Sequence, residues 1–206
     1  MLTDKPTLYG DRISGNCLKT LWTANLCDFA HEWIDIDIMK GESRTDEFLQ
    51  LSSAGQVPIL RLASGDVIEQ SDAIILYMAE TTGSDLIPSD PILRAQMYAW
   101  LFWEQYSHET AIAVRRFRVL YQKKEESEIE PNLLPKGYAA LDRMEAVLTH
   151  APFILGESFS LADIALVAYT RVAHEGGFDL SAYPHLRAWI GRCENRIGLP
   201  HSQETT

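Results

Sequence analysis

Residues 7–38 read TLYGDRISGNCLKTLWTANLCDFAHEWIDIDI, and this stretch decides the fold. Its last part alternates isoleucine with aspartate from Ile34 to Ile38. This period of two predicts a strand with one face exposed to solvent. The large apolar residues before it recur at helical spacing: Leu18, Leu21, Trp22, Leu26 and Phe29. A short run at 7–9, closed by Gly10, predicts a first strand. Strand, helix and strand in this order indicate a parallel βαβ unit.

The next segments continue this pattern as far as residue 82. Thr45 is a plausible N-cap for a short helix that ends at Leu51. The runs 58–62 and 67–68 flank a loop that contains glycine, which predicts a hairpin. Ser71 then caps a helix through Thr82. The order β-α-β-α-β-β-α over residues 1–82 predicts an α/β domain with the thioredoxin-like arrangement.

A change of composition follows this first domain. Residues 83–91 combine glycine and prolines with polar residues, which is typical of a linker. Beyond them, over residues 92–206, there is no strand pattern. The predicted helices span 94 to about 124, 136–150, 161–174 and 184–196. The second domain is therefore predicted to be all-α.

The charge balance limits the classes of partner. The chain carries 29 acidic against 18 basic residues, a formal net charge of −11, and no basic stripe with interleaved aromatic residues. Because a polyanion requires local positive charge, we expect neither nucleic acid nor an anionic membrane as a partner. There is also no apolar run of about 18 residues that would predict a membrane span.

Cysteine and histidine usage adds two expectations. The three cysteines stand at unrelated spacings, which favours a reducing compartment and a cytoplasmic protein. The six histidines form no paired ligand spacing, so we expect no metal.

The loop before the first predicted helix reads Ser14-Gly15-Asn16-Cys17. A hydroxyl and free backbone N–H groups at a helix N-terminus favour an anion, and a thiolate is such an anion. Ser14 is therefore a candidate catalytic residue, although a serine here, taken alone, is more often only an N-cap. Asn16 is a second candidate donor to sulfur. Cys17 falls in the first helical turn, where a free cysteine is usually buried and inert.

Two further motifs have the chemistry of a binding site. The block 55–58, GQVP, places Pro58 at the start of a strand, where it belongs at an edge or a special turn. A cis bond there would turn the Val57 backbone outward toward an extended ligand, whereas trans is the more common isomer of any X–Pro bond. Gln70-Ser71 stands at a helix start, where a hydroxyl and N–H groups suit a carboxylate; an ordinary N-cap is the alternative.

A fourth motif is structural. Ser160 and Asp163 form an S-x-x-D capping box before an apolar run. Loss of either side chain is expected to lower the free energy of unfolding by about 1 kcal/mol or more.

The order of these motifs resembles the cytosolic glutathione transferase family. The resemblance rests on the serine loop, GQVP, the QSDAI block at 70–74, the proline-containing linker and the FSLADI block at 159–164. It runs from about Thr7 to about Trp189, and the loop resembles the serine-type branch, with theta, delta, phi-like and many bacterial members. It implies the glutathione transferase fold, glutathione as co-substrate, and a homodimer.

The resemblance also implies how the thiol is activated. Ser14 matches the residue whose hydroxyl stabilises the glutathione thiolate, with Asn16 as a second hydrogen-bond donor. Tyr9 lies near the hydroxyl of the tyrosine-type branch, but its spacing to Cys17 does not fit that branch, so Tyr9 is interpreted as packing.

The glutathione contacts that the resemblance implies are Arg44, Gln56, Val57, Pro58, Gln70, Ser71 and Glu104. The γ-glutamyl carboxylate would sit on Gln70 and Ser71, and the Val57 backbone would pair with the cysteinyl part. Gln56 and Arg44 match positions that meet the glycine carboxylate, with a solvated surface residue as the equal alternative for Arg44.

The remaining expectations concern the second domain. Glu104 matches an acid that crosses a dimer to the γ-glutamyl ammonium, and an exposed helix acid is the equal alternative. Ile13, Ala111 and Arg115 are candidates for the wall of the electrophile pocket. The arginine cluster formed by Arg115, Arg116 and Arg118 would favour an acidic electrophile. The alternative is that the cluster is a solvent-exposed helix face.

The predicted function is conjugation of the glutathione thiolate to small electrophiles, as in detoxification. One alternative is a glutathione-dependent disulfide reductase that uses Cys17. Another is a non-catalytic glutathione-binding module, since fold does not fix function. A cysteine is absent at position 14, which argues against the reductase, and the intact binding motifs argue against the inert module.

Overall fold

The computed structural model describes residues 5–200. The chain divides into two compact units between Asp85 and Leu86, a point inside the stretch 83–91 that was predicted as a linker. The predicted domains also include residues 1–4 and 201–206, which lie outside the described residues.

The first unit alternates strands and helices. Its elements are β1 (Thr7–Gly10), α1 (Gly15–Leu26), β2 (Glu32–Asp35), α2 (Asp46–Leu51), β3 (Ile59–Arg61), β4 (Val67–Glu69) and α3 (Ser71–Thr82). The sheet has the order β2-β1-β3-β4, with β1 parallel to β2 and antiparallel to β3. Leu8 and Leu60 of the sheet pack against Ile74 and Met78 of α3 in a buried core. The predicted thioredoxin-like α/β arrangement is confirmed.

The end of β2 differs from the prediction. The isoleucine alternation predicted a strand through Ile38, but β2 ends at Asp35 and a 3-10 turn begins at Ile38. The Asp37 carboxylate accepts the N–H groups of Met39 and Lys40, both at 3.0 Å, and so starts that turn. Local capping by an aspartate therefore ends the strand that the pattern alone extends.

The second unit is helical. Its helices are α4 (Pro91–Trp103), α5 (Glu109–Arg116), α6 (Leu133–Leu148), α7 (Leu161–Thr170) and α8 (Pro184–Ile197). Two π-helical turns, Glu104–His108 and Phe117–Tyr121, flank α5, so the long predicted helix is one run with two local bulges. Between residues 86 and 200 the β pairing is limited to a single bridge. No helix within residues 5–200 has the length and apolarity needed to cross a membrane.

The capping box at the start of α7 is confirmed. Asp163 Oδ2 accepts the Ser160 N–H at 2.9 Å and is 3.1 Å from the Ser160 hydroxyl. The other oxygen, Oδ1, accepts the Ile154 N–H at 2.9 Å and the Trp189 indole N–H at 2.8 Å. One buried carboxylate therefore ties the helix to a loop and to α8, and its burial raises the pKa of Asp163 in spite of these hydrogen bonds.

Candidate functional site

The strand register brings the sequence motifs of the first unit to one end of its sheet. Tyr9 of β1 pairs with Ile59 of β3, and Ile59 pairs with Glu69 of β4. The loop that follows β1, the GQVP block that precedes β3 and the Gln70-Ser71 step that follows β4 all leave the sheet at this row. Antiparallel pairing thus gathers segments that are about 50 residues apart in sequence.

Ser14 occupies the N-cap position of α1. Its backbone is extended and its carbonyl oxygen accepts the Leu18 N–H at 3.0 Å. Its side chain, however, makes no capping hydrogen bond and instead bonds with the Cys17 thiol. The interpretation of the Ser14 side chain as a cap is therefore wrong. The Ser14 hydroxyl therefore lies at the N-terminus of α1 without satisfying a backbone N–H group of the helix.

Asp11 holds this loop in shape, a role that the sequence did not reveal. Its carboxylate accepts the N–H of Ile13 at 3.1 Å and the N–H of Ile38 at 3.0 Å. Its own N–H donates to Cys17 Sγ at 3.3 Å. An aspartate that accepts the N–H two residues later is a common turn device, and this is the signal by which Asp11 could have been found.

Cys17 is fully buried, as predicted. Burial raises the pKa of the Cys17 thiol to about 11, and the hydrogen bonds from the Asp11 backbone and the Ser14 side chain offset only part of this effect. A reactive cysteine needs the opposite, a lowered pKa and access to solvent. The geometry therefore gives no support to a reductase that uses Cys17.

The start of α3 forms the second part of the site. Gln70 takes the N-cap position, and Ser71 is the first helical residue, so the prediction that Ser71 caps this helix is wrong. The Ser71 hydroxyl donates to Asn16 Oδ1 at 3.2 Å, which links the first turns of α3 and α1. Gln70 has a φ of 73°, a region that residues other than glycine seldom adopt and that is enriched at functional sites.

Arg44 and the GQVP block form the third part. Arg44 Nη1 donates to the Ala54 carbonyl at 2.8 Å, and the guanidinium lies against Gly55, where a Cβ would be only 2.6 Å from Nη1. Arg44 is exposed to solvent, but its hydrogen bond to Ala54 fixes the position of its guanidinium. Gln56 is exposed as well. The Val57–Pro58 peptide bond is cis, and Val57 lies outside the register that begins at Ile59.

Tyr9 packs as predicted. Its ring lies edge-on to that of Phe48, with 6.4 Å between the centroids.

Glu104 has a different environment from the predicted one. It begins the π-helical turn after α4 and is fully buried. Gln105 Nε2 donates to its Oε2 at 2.7 Å, and His108 Nδ1 lies 3.7 Å from its Oε1. A side chain that reaches a second subunit has to be on the surface, so this location does not match the role predicted for Glu104 across a dimer.

The residues predicted to line the electrophile pocket are largely buried or engaged in other interactions. Ala111 is fully buried, and Ile13 is half-buried in the loop that Asp11 holds. Arg115 is almost fully buried and its Nε donates to the Gly176 carbonyl at 2.8 Å. The arginine pairs are Arg115–Glu126, Arg116–Glu175 and Arg118–Glu130. Each guanidinium is neutralised within the second unit, which weakens the case for an acidic electrophile.

Comparisons with known proteins agree with this architecture. Family models of the glutathione S-transferase N-terminal and C-terminal domains match residues 13–81 and 97–196. The structure of a glutathione S-transferase from Pseudomonas fluorescens Pf-5 is 46% identical and superposes with a TM-score of 0.87, covering 92% of this chain and 94% of that one. One from Xanthobacter autotrophicus Py2 is 36% identical with a TM-score of 0.85, covering 96% and 95%. Human glutathione S-transferase theta-2B is 27% identical over 82% of this chain and 72% of its own.

The fold and the comparisons therefore define a two-unit protein with a thioredoxin-like part and an all-helical part. The chain belongs to the glutathione S-transferase family, whose members are transferase enzymes. The resemblance predicted from the motif order is confirmed.

Proposed function

We propose that this protein binds glutathione at the sheet end described above and conjugates its thiolate to small electrophiles. The observation that carries the proposal is the single row Tyr9–Ile59–Glu69, from which all the motifs of the first unit leave the sheet. Glutathione is an extended tripeptide with a carboxylate at each end and a thiol between them. A binding site for glutathione therefore needs three separate subsites close together, one for each carboxylate and one for the thiol.

The carboxylates are assigned to opposite sides of this sheet end. Gln70, Ser71 and the first N–H groups of α3 take the γ-glutamyl carboxylate, because helix N-termini favour anions. Gln56 and the anchored Arg44 take the glycine carboxylate. The Val57 backbone, which precedes the β3 ladder and the cis Pro58, pairs with the cysteinyl part.

The thiol is assigned to Ser14. A free thiol has a pKa of about 8.5, so only a few per cent is ionised near neutral pH. Lowering this pKa by about 2 units requires about 2.7 kcal/mol of preference for the anion. A charge-assisted hydrogen bond from Ser14 and the N-terminus of α1 together supply about that much. The Ser71 hydroxyl, which donates to Asn16 Oδ1, turns its proton to the γ-glutamyl carboxylate when glutathione binds. The Asn16 amide N–H groups then serve as second donors to the sulfur.

The reaction then needs no protein nucleophile. The glutathione thiolate donates its electron pair to an electrophilic carbon of the second substrate, and a carbon–sulfur bond forms. In a substitution the leaving group departs with the electron pair of the bond that breaks. In an addition the resulting carbanion takes a proton from water. Such chemistry suits detoxification, and the free thiols of all three cysteines suit a cytoplasmic location.

A homodimer is proposed on a feature of α4 rather than on Glu104. Exposed apolar residues recur along this helix and into the following π turn at alternating steps of three and four: Ile92, Ala95, Ala99, Phe102 and Tyr106. Phe102 and Tyr106 are 73% and 85% exposed. A continuous stripe at this spacing is typical of a helix that packs against another helix. We assign it to a second copy of this chain.

The central experiment measures binding and turnover on the same protein. Glutathione at about 100 times its dissociation constant should add about 2.7 kcal/mol to the free energy of unfolding. For a chain of this size that raises the melting temperature by several degrees. Ser71→Ala should reduce this shift, while Ser64→Ala in the exposed hairpin loop should not.

A panel of electrophiles and of mixed disulfides then separates the functions. Turnover of electrophiles supports the transferase, turnover of disulfides alone would replace it with the reductase, and binding without any turnover would leave only a binding module. The absence of a glutathione-dependent shift would refute the proposed site.

A further inference from the structure

A second polar link joins α1 to α3 directly below the candidate site. Lys19 Nζ lies 3.6 Å from Asp72 Oδ1, and the Lys19 side chain is fully buried. Lys19 follows Asn16 by one helical turn, and Asp72 follows Ser71 directly. The Asn16–Ser71 hydrogen bond and the Lys19–Asp72 ion pair therefore form two successive links between the N-terminal halves of the same two helices.

Stability alone is a weak explanation for this pair. Lysine is almost never fully buried unless it is paired, because removing its charge from water is costly. Replacing a buried ion pair by apolar residues of similar size is often neutral or stabilising. The neighbouring contacts of α1 and α3 are already apolar, through Ala24, Ile74 and Met78. What an ion pair adds to such an interface is a defined register between the two helices.

We propose that Lys19 and Asp72 are positioning residues for glutathione binding. The pair fixes how far the N-terminus of α3 stands from the N-terminus of α1. Ser71 at one of these ends and Ser14 at the other hold the carboxylate and the sulfur of one glutathione molecule, as proposed above, so their separation has to match the ligand. This inference rests on that proposed function.

The effect is positional rather than electrostatic. Lys19 and Asp72 carry opposite charges at close range, so the pair adds no net charge to the site. Removing both charges together leaves the attraction for an anionic ligand nearly unchanged. A loss of affinity in such a double variant reports a shift of Ser71 relative to Ser14.

The test compares Lys19→Met/Asp72→Leu with the wild-type protein. We expect its melting temperature to stay close to that of the wild type. Its dissociation constant for glutathione, measured by calorimetry, should rise by about tenfold or more, since small misplacements of a binding group have effects of this size. Because Ser14 is untouched, kcat at saturating glutathione should change far less than KM.

A matched control is available in the second unit. Arg171, directly after α7, and Glu194 of α8 form an ion pair with 2.9 Å between Nε and Oε1, and the Glu194 side chain is almost fully buried. The double variant Arg171→Met/Glu194→Leu removes a comparable pair from the unit that does not carry the glutathione-binding motifs. It should bind glutathione as the wild type does.

A conservative variant covers the case in which the double variant fails to fold. Asp72→Glu keeps both charges but lengthens the link by one methylene, and it should weaken glutathione binding by several fold without unfolding the protein. If wild-type protein does not bind glutathione, the proposed function fails. If the wild type binds and a folded variant of this pair binds equally tightly, the positioning role is overturned and the proposed function stands.

Discussion

The Asp11 carboxylate accepts the Ile38 N–H at 3.0 Å, across 27 positions of sequence. With its second hydrogen bond, to the Ile13 N–H, Asp11 connects the segment after β2 to the loop that carries Ser14. The same interaction occupies the Ile38 N–H at the start of the 3-10 turn that follows β2. Asp11 therefore acts together with Asp37 where the regular strand gives way to a turn, and it also fixes the loop of the candidate site.

The first prediction concerns this connection. Asp11→Ala removes an acceptor from two backbone N–H groups and should lower the free energy of unfolding by about 1–3 kcal/mol. It should also lower kcat, because the Ser14 hydroxyl loses its fixed position. Asp179→Ala is the control, since Asp179 accepts the Ser181 N–H at 2.8 Å in the second unit. Equal effects of both variants on kcat would contradict a role of Asp11 in shaping the site.

The second prediction concerns the capping box of α7. Ser160→Ala removes only the hydroxyl and should cost about 1 kcal/mol of unfolding free energy. Asp163→Ala should cost more, about 3 kcal/mol, because the Ile154 N–H and the Trp189 indole N–H also lose their acceptor. Denaturant unfolding measures both. Equal costs for the two variants would show that the additional hydrogen bonds of Asp163 contribute little.

The sequence predicted those features that depend on local pattern and missed those that depend on distant contacts. Periodicity identified the order of strands and helices along the chain, and the S-x-x-D spacing identified the cap of α7. The end of β2 was missed because Asp37 and Asp11 act through their carboxylates, which no hydropathy pattern reports. The hydrogen bond from Ser71 to Asn16 likewise depends on contact between two helices. Without that contact in view, the sequence predicted Ser71 as an N-cap.

The largest difference is Glu104. The prediction placed this acid on an exposed surface, but Glu104 continues the buried face of α4 that carries Met97 and Leu101 and lies beside His108. The spacing of Met97, Leu101 and Glu104 is the signal by which this burial could have been predicted. The loop residues of the proposed glutathione site could be named from sequence because their motifs were recognisable.

The third prediction tests the apolar stripe on α4. Phe102→Glu introduces a charge at a highly exposed position of the stripe and should convert a homodimer to a monomer at micromolar concentration, as measured by light scattering. Tyr121→Glu, a substitution of a half-buried aromatic residue outside the stripe, serves as the comparison. A wild-type protein that is already monomeric, or a Phe102→Glu variant that remains dimeric, would contradict the assignment.

The fourth prediction concerns Cys17. Burial raises the pKa of its thiol to about 11, so the folded protein favours the protonated form. Because the folded pKa lies above that of an exposed thiol, the corresponding stability is complete at neutral pH and is lost as the pH rises from about 8.5 towards the folded value. Cys17→Ala should therefore reduce the alkaline dependence of unfolding.

Labelling gives a direct measure of the same environment. In native protein at mildly alkaline pH, a thiol reagent should modify the half-buried Cys27 well before Cys17. Cys27→Ala identifies the modified site by mass spectrometry. Rapid labelling of Cys17 in folded protein would contradict its buried, protonated state.

The last prediction separates the chemistry of Ser14 from that of Cys17. Ser14→Ala removes one hydrogen bond to a charged sulfur, worth about 1.5–3 kcal/mol, which corresponds to a loss of about 10- to 150-fold in turnover. Glutathione affinity should change little, because its carboxylates are held at Gln70, Ser71 and Arg44. The pH–rate profile should shift to higher pH, since the thiol ionises later without the hydroxyl. Cys17→Ala should retain most of the turnover and lose about 1 kcal/mol of stability, as a buried packing residue does. An active Ser14→Ala enzyme together with a folded but inactive Cys17→Ala enzyme would overturn the assignment of Ser14 and revive the disulfide reductase.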